Sequence, residues 1–361
     1  MNPKFFVVYD DRMSLYDVPP SYSFTGRRFK VFVEYLRESL PEDEFALVKP
    51  RKATRRELLS VHREEYLDFV EELANEVPGS FTTYLSPDTQ VNREMLEANK
   101  VIVGAAMKAV DLAMSRSRPA VTFGGLHHAG PSRGGGFCVL NDVAAAARRA
   151  RSNGAKRVMI LDTDAHAGDG TMDIFYSDPN VLTISVHHDP TTFYPGRGFV
   201  HEIGDGEGRG YCVNFPLPPK AGIRSYEVFK SQILEPLSLE FKPDVIIRNG
   251  GSDPYVGDIQ HLGYSTFLGL AKRDFHTLGG WIKELRDRLG SSYVDIMGSG
   301  YDEDAIPSCW FSLLTGVMGL PYRPKDETLP QEVDSERVLS QTMKVAERLR
   351  ELLSPYWESL S

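Results

Sequence analysis

The stretch ILDTDAHAGDGT, residues 160–171, sets Asp162, Asp164, His166 and Asp169 at the end of the apolar run VMIL. Unpaired charge is costly to bury, so such a cluster needs a neutralising group. Asp164 and His166 are spaced i, i+2, which in an extended segment points both side chains the same way. A third ligand from another strand end would complete a metal site, and Asp253, in GGSD, is the natural candidate. Two carboxylates and one imidazole suit Zn²⁺ with one position left for water; Fe²⁺, Mn²⁺ and Co²⁺ stay open by ligand type. The competing interpretation is a solvated turn with incidental acids.

His127 and His128 stand in tandem after Gly124 and Gly125. Tandem histidines often carry no chemistry, with one pointing outward or bonded in the core. Here Asp162 and Asp169 are available as partners. A carboxylate orients an imidazole and raises its basicity, as a general base acting on metal-activated water requires. Tyr301, in GSGYDED, is another candidate. A phenol there commonly packs, but beside an activated carbonyl it donates to the developing oxyanion, an effect worth roughly 3–4 kcal/mol.

These residues need elements to position them. Short apolar runs recur at 5–9, 45–49, 120–124, 158–162, 181–186, 244–249 and 293–298. Most are continuously apolar, as expected of strands buried on both faces in a parallel sheet. Between them lie helical patterns over 28–39, 93–115, 141–152, 226–237, 264–289 and 336–353. Strand–helix alternation predicts an α/β fold with helices on both faces of one sheet, in which ligands sit beyond the carboxyl ends of the strands. Histidine, aspartate, tyrosine and glycine follow five of these strands, which points to one site. Residues 320–335 are expected to form an exposed connector before a C-terminal helix, and residues 1–361 one domain.

The 361 residues are 41% hydrophobic and 25% charged, with a formal net charge of −9. This is globular composition, and its acidity disfavours nucleic-acid binding. Cys138, Cys212 and Cys309 form no CxxC pair, which argues against a disulfide framework and suits a reducing compartment. The stretch MNPKFFVVYDDRM lacks the features of a signal peptide. No segment approaches the roughly 20 apolar residues that cross a bilayer. A soluble, cytoplasmic protein without membrane partners is expected.

Taken in order, GGLHHA…GGGFCVLNDVAAAA, LDTDAHAGDGTMDIFY, TISVHHDPTTFYPGRG, GDGEGRGYCVNFPLP, IIRNGGSDPYVGD and GSGYDEDAIPSCW resemble the motifs of the histone deacetylase superfamily. That superfamily includes acetylpolyamine amidohydrolases and bacterial deacetylase-like amidohydrolases. The resemblance runs from about residue 20 to 320. It implies the three-layer α/β/α arginase–deacetylase fold with a mostly parallel central sheet, and hydrolysis of an N-acyl amide. It implies Asp164, His166 and Asp253 as zinc ligands, His128 as general base and later acid, and His127 as its charge-stabilising neighbour. Tyr301 becomes the carbonyl-polarising residue, with Asp162 and Asp169 orienting. Gly136, Phe137 and Tyr194 become walls of a narrow tunnel. A structural K⁺ is implied at Asp162, Asp164, His166, Ser185 and Val186. Arg28 matches an inner-cavity arginine, with Arg27 nearly as good a match, and Asp88 a rim carboxylate.

Two positions depart from the family: Ala167, where many members carry a second histidine, and Ser299, where glycine is common. Implied substrates are a small acylated amine, such as an acetylpolyamine, or an acetylated protein lysine, acted on by a monomer or homodimer. Two alternatives remain. DAHAGD resembles the arginase DAHxD pattern, but a binuclear ureohydrolase needs more bridging aspartates and leaves Tyr301 and Phe137 without a role. A non-catalytic acyl-amine-binding protein would not need His128 and Tyr301.

Overall fold

The computed structural model describes residues 3–17, 24–76, 83–258, 267–322, 324 and 326–361. Its strands are β1 (Phe5–Val8), β2 (Phe45–Val48), β3 (Thr83–Ser86), β4 (Thr89–Val91), β5 (Ala120–Phe123), β6 (Val158–Asp162), β7 (Val181–His188), β8 (Cys212–Leu217), β9 (Val245–Gly250) and β10 (Ser292–Met297). Two compact units interleave along the chain. The first comprises Met1–Ala155, Asp169–Ile174 and Ser292–Gly298; the second comprises Lys156–Gly168, Phe175–Ser291 and Ser299–Ser361.

In the first unit the strand order is β2–β1–β5–β10, all parallel. Every residue of β5 is buried, matching its unbroken apolar sequence. The helix Arg93–Arg116 is capped by Asn92, whose side chain accepts from Met95 N, and buries fourteen residues, among them Val101, Ile102 and Val110. Asp142 opens the helix Asp142–Ser152 behind the cap Asn141, whose side chain accepts from Ala144 N. A small antiparallel hairpin, β3–β4, was not anticipated. Neither was the helix Glu64–Glu76.

In the second unit the order is β9–β6–β7–β8, again parallel where registers are given. All of β6, β7 and β9 is buried. The edge strand β8 escaped sequence reading because CVNFPL carries Asn214 and Pro216. Proline is tolerated at a sheet edge, where its missing N–H breaks no ladder. The helix expected over 226–237 is instead two, Ile223–Phe229 and Glu235–Phe241, joined by a π turn at Lys230–Leu234. Pro236 has no N–H for the preceding turn, so the regular helix cannot run through it. The helix expected from 264 begins at Lys272, where Asp274 accepts from Ala271 N; residues 264–266 lie outside the described set. The helix Ile306–Met318 was missed because it is apolar on nearly every side and has no polar face to reveal its period. In the connector 320–335, most described residues are exposed or half-buried. Asp334 is nevertheless buried, accepting from Gly222 N, Arg224 N and Ser225 Oγ. Among the described residues no helix is long and apolar enough to cross a membrane.

His62 pins the segment after the tandem histidines. Its Nδ1 lies 2.9 Å from Gly130 O, and its Nε2 accepts from Asn141 N at 3.0 Å. Burial lowers its pKa from 6.5 to about 4. Above pH 6.5 the ring is neutral both folded and unfolded, so it contributes no pH dependence. Between 6.5 and 4 only the unfolded chain takes the proton, so stability falls as the pH falls. Urea midpoints should show the stability difference between wild type and His62→Gln flat above pH 6.5, then shrinking by about 3 kcal/mol by pH 4. A flat difference throughout would mean that the folded protein protonates His62 freely.

Candidate active site

The end of β6 is built from its own backbone bonds. Thr163 N donates to Asn249 O at 2.9 Å, carrying the pairing with β9 past the strand. Asp164 N donates to Asp162 Oδ1 (3.1 Å) and His166 N to Asp164 Oδ1 (2.9 Å), which folds the acidic segment back on itself. His166 Nδ1 then lies 2.9 Å from Asp164 Oδ1 and 3.0 Å from Asp253 Oδ2. Ligand-capable atoms of Asp164, His166 and Asp253 all lie within 4.8 Å of one another, and all three residues are buried. Burial opposes a charged His166, yet the Asp164 and Asp253 carboxylates outweigh it and hold this imidazole up at about 9. Burial, then the charge of Asp164, pushes the Asp253 carboxyl well above the ordinary range. Two buried carboxylates therefore compete for one positive group. A divalent cation would meet that demand with His166 neutral, so the donor set fits one.

Tyr301 is 6% exposed, and its ring meets His166 edge-on at 6.2 Å. Phe193 stacks between two imidazoles, with centroids 4.7 Å from His166 and 4.6 Å from His188. Asp162 accepts from Asn249 Nδ2 at 3.1 Å on each oxygen. Ser185 is its register partner on β7, and Ser185 Oγ lies 2.7 Å from His187 Nδ1. Val186 is fully buried.

The first unit holds the imidazole pair. His127 Nε2 and His128 Nε2 are 3.1 Å apart, and His128 Nδ1 lies 2.7 Å from Asp169 Oδ1. Burial works against the Asp169 carboxylate, but the bond from His128 and the Arg133 guanidinium hold its pKa below the usual range. Arg133 donates to Asp169 Oδ2 (2.8 Å), to Asp173 Oδ2 (2.7 Å) and to His128 O (3.0 Å). A Cβ on Gly170 would fall 2.4 Å from the His128 carbonyl carbon, so only glycine lets Asp169 approach this closely.

The model of the histone deacetylase domain matches residues 22–317. The chain belongs to the histone deacetylase family. A probable deacetylase of Archaeoglobus fulgidus is 30% identical over 98% of both chains. An acetoin utilization protein AcuC of Bacillus subtilis is 31% identical over 87% of this chain and 82% of its own length. The crystal structure of the HDA15 HD domain superposes with a TM-score of 0.84 at 24% identity, covering 99% of this chain and 97% of that one. That likeness shows the fold class expected from the sequence: α/β, in three layers, with a mostly parallel central sheet.

The other residues singled out in the sequence fall as follows. Asp88 Oδ1 accepts from Gly136 N at 3.0 Å, and Thr89 Oγ1 accepts from Phe137 N at 2.9 Å. These bonds, with the Tyr16 hydroxyl donating to Phe137 O, hold Phe137 at φ 65. Phe137 stacks on Phe24 at 5.3 Å. Arg28 is buried with its guanidinium 3.5 Å over the Phe24 ring, whereas Arg27 is exposed. Tyr194 is 37% exposed, with its ring centroid 6.2 Å from that of His166. Sequence reasoning assigned no role to Arg133, Asn249, Phe193 or Asp258. Arg133 lies between the quoted GGLHHA and GGGFC and the other three inside quoted motifs, and only their hydrogen bonds or ring contacts distinguish them.

Asp253→Ala leaves one carboxylate and one imidazole in the pocket. Loss of an outer partner alone weakens a metal site by about 10–100-fold. Loss of this ligand should exceed that, so the variant should emerge metal-free from a desalting column that leaves wild type loaded. Metal content equal to wild type would remove Asp253 from the ligand set.

Proposed function

We propose that this protein is a metal-dependent deacetylase that removes an acetyl or other short acyl group from an N-acylated amine. The observation that carries the proposal is the buried cluster of Asp164, His166 and Asp253 with Tyr301 edge-on to His166. Zn²⁺ is the proposed ion, with Fe²⁺, Mn²⁺ and Co²⁺ compatible with the same donors. Bound there, a divalent cation supplies Lewis acidity to the acyl carbonyl and makes a water molecule more acidic.

The chain's own residues do the rest. His128 Nε2 takes the water proton while Asp169 holds the Nδ1 proton and fixes the tautomer. His127, 3.1 Å away, stabilises the charge that gathers on the pair. Water oxygen bonds to the acyl carbon as the Tyr301 hydroxyl donates to the carbonyl oxygen. The C–N bond then breaks, and His128 returns its proton to the leaving amine, giving acid and free amine. Residues 1–361 are proposed to be one catalytic domain, in which only Ala167 and Gly168 separate His166 from Asp169 along the chain.

Gly136, Phe137 and Tyr194 are the proposed tunnel walls, Asp88 a rim group, and Arg28 the inner-cavity arginine. A structural K⁺ is proposed at Asp162, Asp164, His166, Ser185 and Val186, supported by the buried, register-paired oxygens of Asp162 and Ser185. The substrate is proposed to be an acetylated polyamine, another small acylated amine or an acetyl-lysine side chain. The test is acetate release from acetyl-lysine peptides and acetylated polyamines after Zn²⁺ or Fe²⁺ is added to metal-free protein. Release from any of them at one divalent ion per chain supports the proposal. Two divalent ions per chain, or tight binding without release, would overturn it.

A further inference from the structure

Ser299 lies in the stretch GSGY, two residues before Tyr301. Its hydroxyl donates to Asp253 Oδ1 at 2.6 Å, while Asp253 Oδ2 is the oxygen turned toward His166 Nδ1 and Ala165 N. One carboxylate oxygen therefore faces the cluster and the other is held by serine.

The hydroxyl has little freedom to leave. Ser299 is 5% exposed and Asp253 fully buried. Ser299 O accepts from Ser252 N at 3.0 Å and from Trp310 Nε1 at 3.1 Å. A Cβ on Gly251 would fall 1.9 Å from Ser299 O, so the two loops meet backbone to backbone. Asp258 fastens the same pair of loops, accepting from Tyr301 N and from Ser252 Oγ, each at 2.7 Å. Ser299 thus bonds to a metal-ligand candidate through its side chain and sits two residues from the catalytic tyrosine candidate.

We propose that Ser299 is a positioning residue that restricts Asp253 to ligation through Oδ2 alone and ties metal affinity to the setting of the Tyr301 loop. This rests on the metal site proposed above. Without the hydroxyl, Oδ1 loses its donor, and the carboxylate rotates to offer both oxygens or samples both arrangements. Ligand orientation by an outer hydrogen bond is the general basis of such control.

The test is Ser299→Ala, with wild type and Asp253→Ala measured alongside. Zn²⁺ affinity is read by competition with a fluorescent chelator, Co²⁺ coordination by visible absorption, and integrity by cooperative thermal melting of the metal-free proteins. The expected result is Zn²⁺ binding about 10–100-fold weaker in Ser299→Ala. The Co²⁺ bands should also weaken, as a second Asp253 oxygen raises the coordination number. At saturating Zn²⁺, kcat should fall while KM stays within about twofold of wild type, because Tyr301 and not substrate binding is disturbed. Unchanged Zn²⁺ affinity and Co²⁺ spectrum in a cooperatively folded Ser299→Ala protein would overturn the role of Ser299 alone. Wild-type protein that binds neither ion, or binds them no better than Asp253→Ala, would overturn the metal site itself.

Discussion

His128→Ala should lower kcat by about 10²–10⁴-fold, the range for loss of a positioned general acid–base group, while metal content stays at the wild-type level. The imidazole is specialised by its surroundings. Its Nδ1 faces Asp169 at 2.7 Å, so proton transfer is assigned to Nε2, which lies 3.1 Å from His127 Nε2. Asp169 is in turn held by Arg133, so the tautomer is set from behind. None of Asp164, His166 or Asp253 is altered by the substitution. A variant that lost its metal would assign His128 to the metal pocket; one that kept full turnover would end its proposed role. Acetate release under saturating substrate, with metal content from elemental analysis, separates these outcomes.

Tyr301→Phe should lower kcat by about 10²–10³-fold, as expected when one oxyanion donor is removed, with KM changed much less. The substitution deletes a single oxygen. The backbone anchor survives, because Asp258 holds Tyr301 N and not the side chain. The edge-on ring contact with His166 is also preserved in phenylalanine. Zn²⁺ affinity equal to wild type, together with the loss of turnover, would place the phenol on the reacting carbonyl. An equal fall in metal affinity would mean that the hydroxyl supports the metal pocket instead, and full activity would remove Tyr301 from the mechanism.

Much of the fold was legible because buried parallel strands leave a plain sequence signature. VMIL and VII have no polar face to alternate, since both faces are covered. Where the environment differs, the signature fails. Strand β8 sits at an edge and so tolerates Asn214 and Pro216. The helix Ile306–Met318 is covered on nearly all sides and shows no period. The break at Lys230–Leu234 was signalled by Pro236 but hidden within an otherwise helical pattern.

Within the candidate site, residue types and local spacing were readable and pairings were not. The i, i+2 spacing of Asp164 and His166 spans only six consecutive backbone bonds, so the sequence by itself determined that they lie side by side. The same holds for the tandem placement of His127 and His128, and for the α/β class set by apolar periodicity. Only the tertiary structure decided that Asp253, 87 residues beyond His166, turns one oxygen to its Nδ1 and the other to Ser299. It also decided that Asp169 belongs to His128 while Asp162 accepts from Asn249. The physical reason is range. Periodicity and turn chemistry act over a few residues and are written in their order, whereas a hydrogen bond between strand ends depends on sheet order and register, which the whole chain sets together.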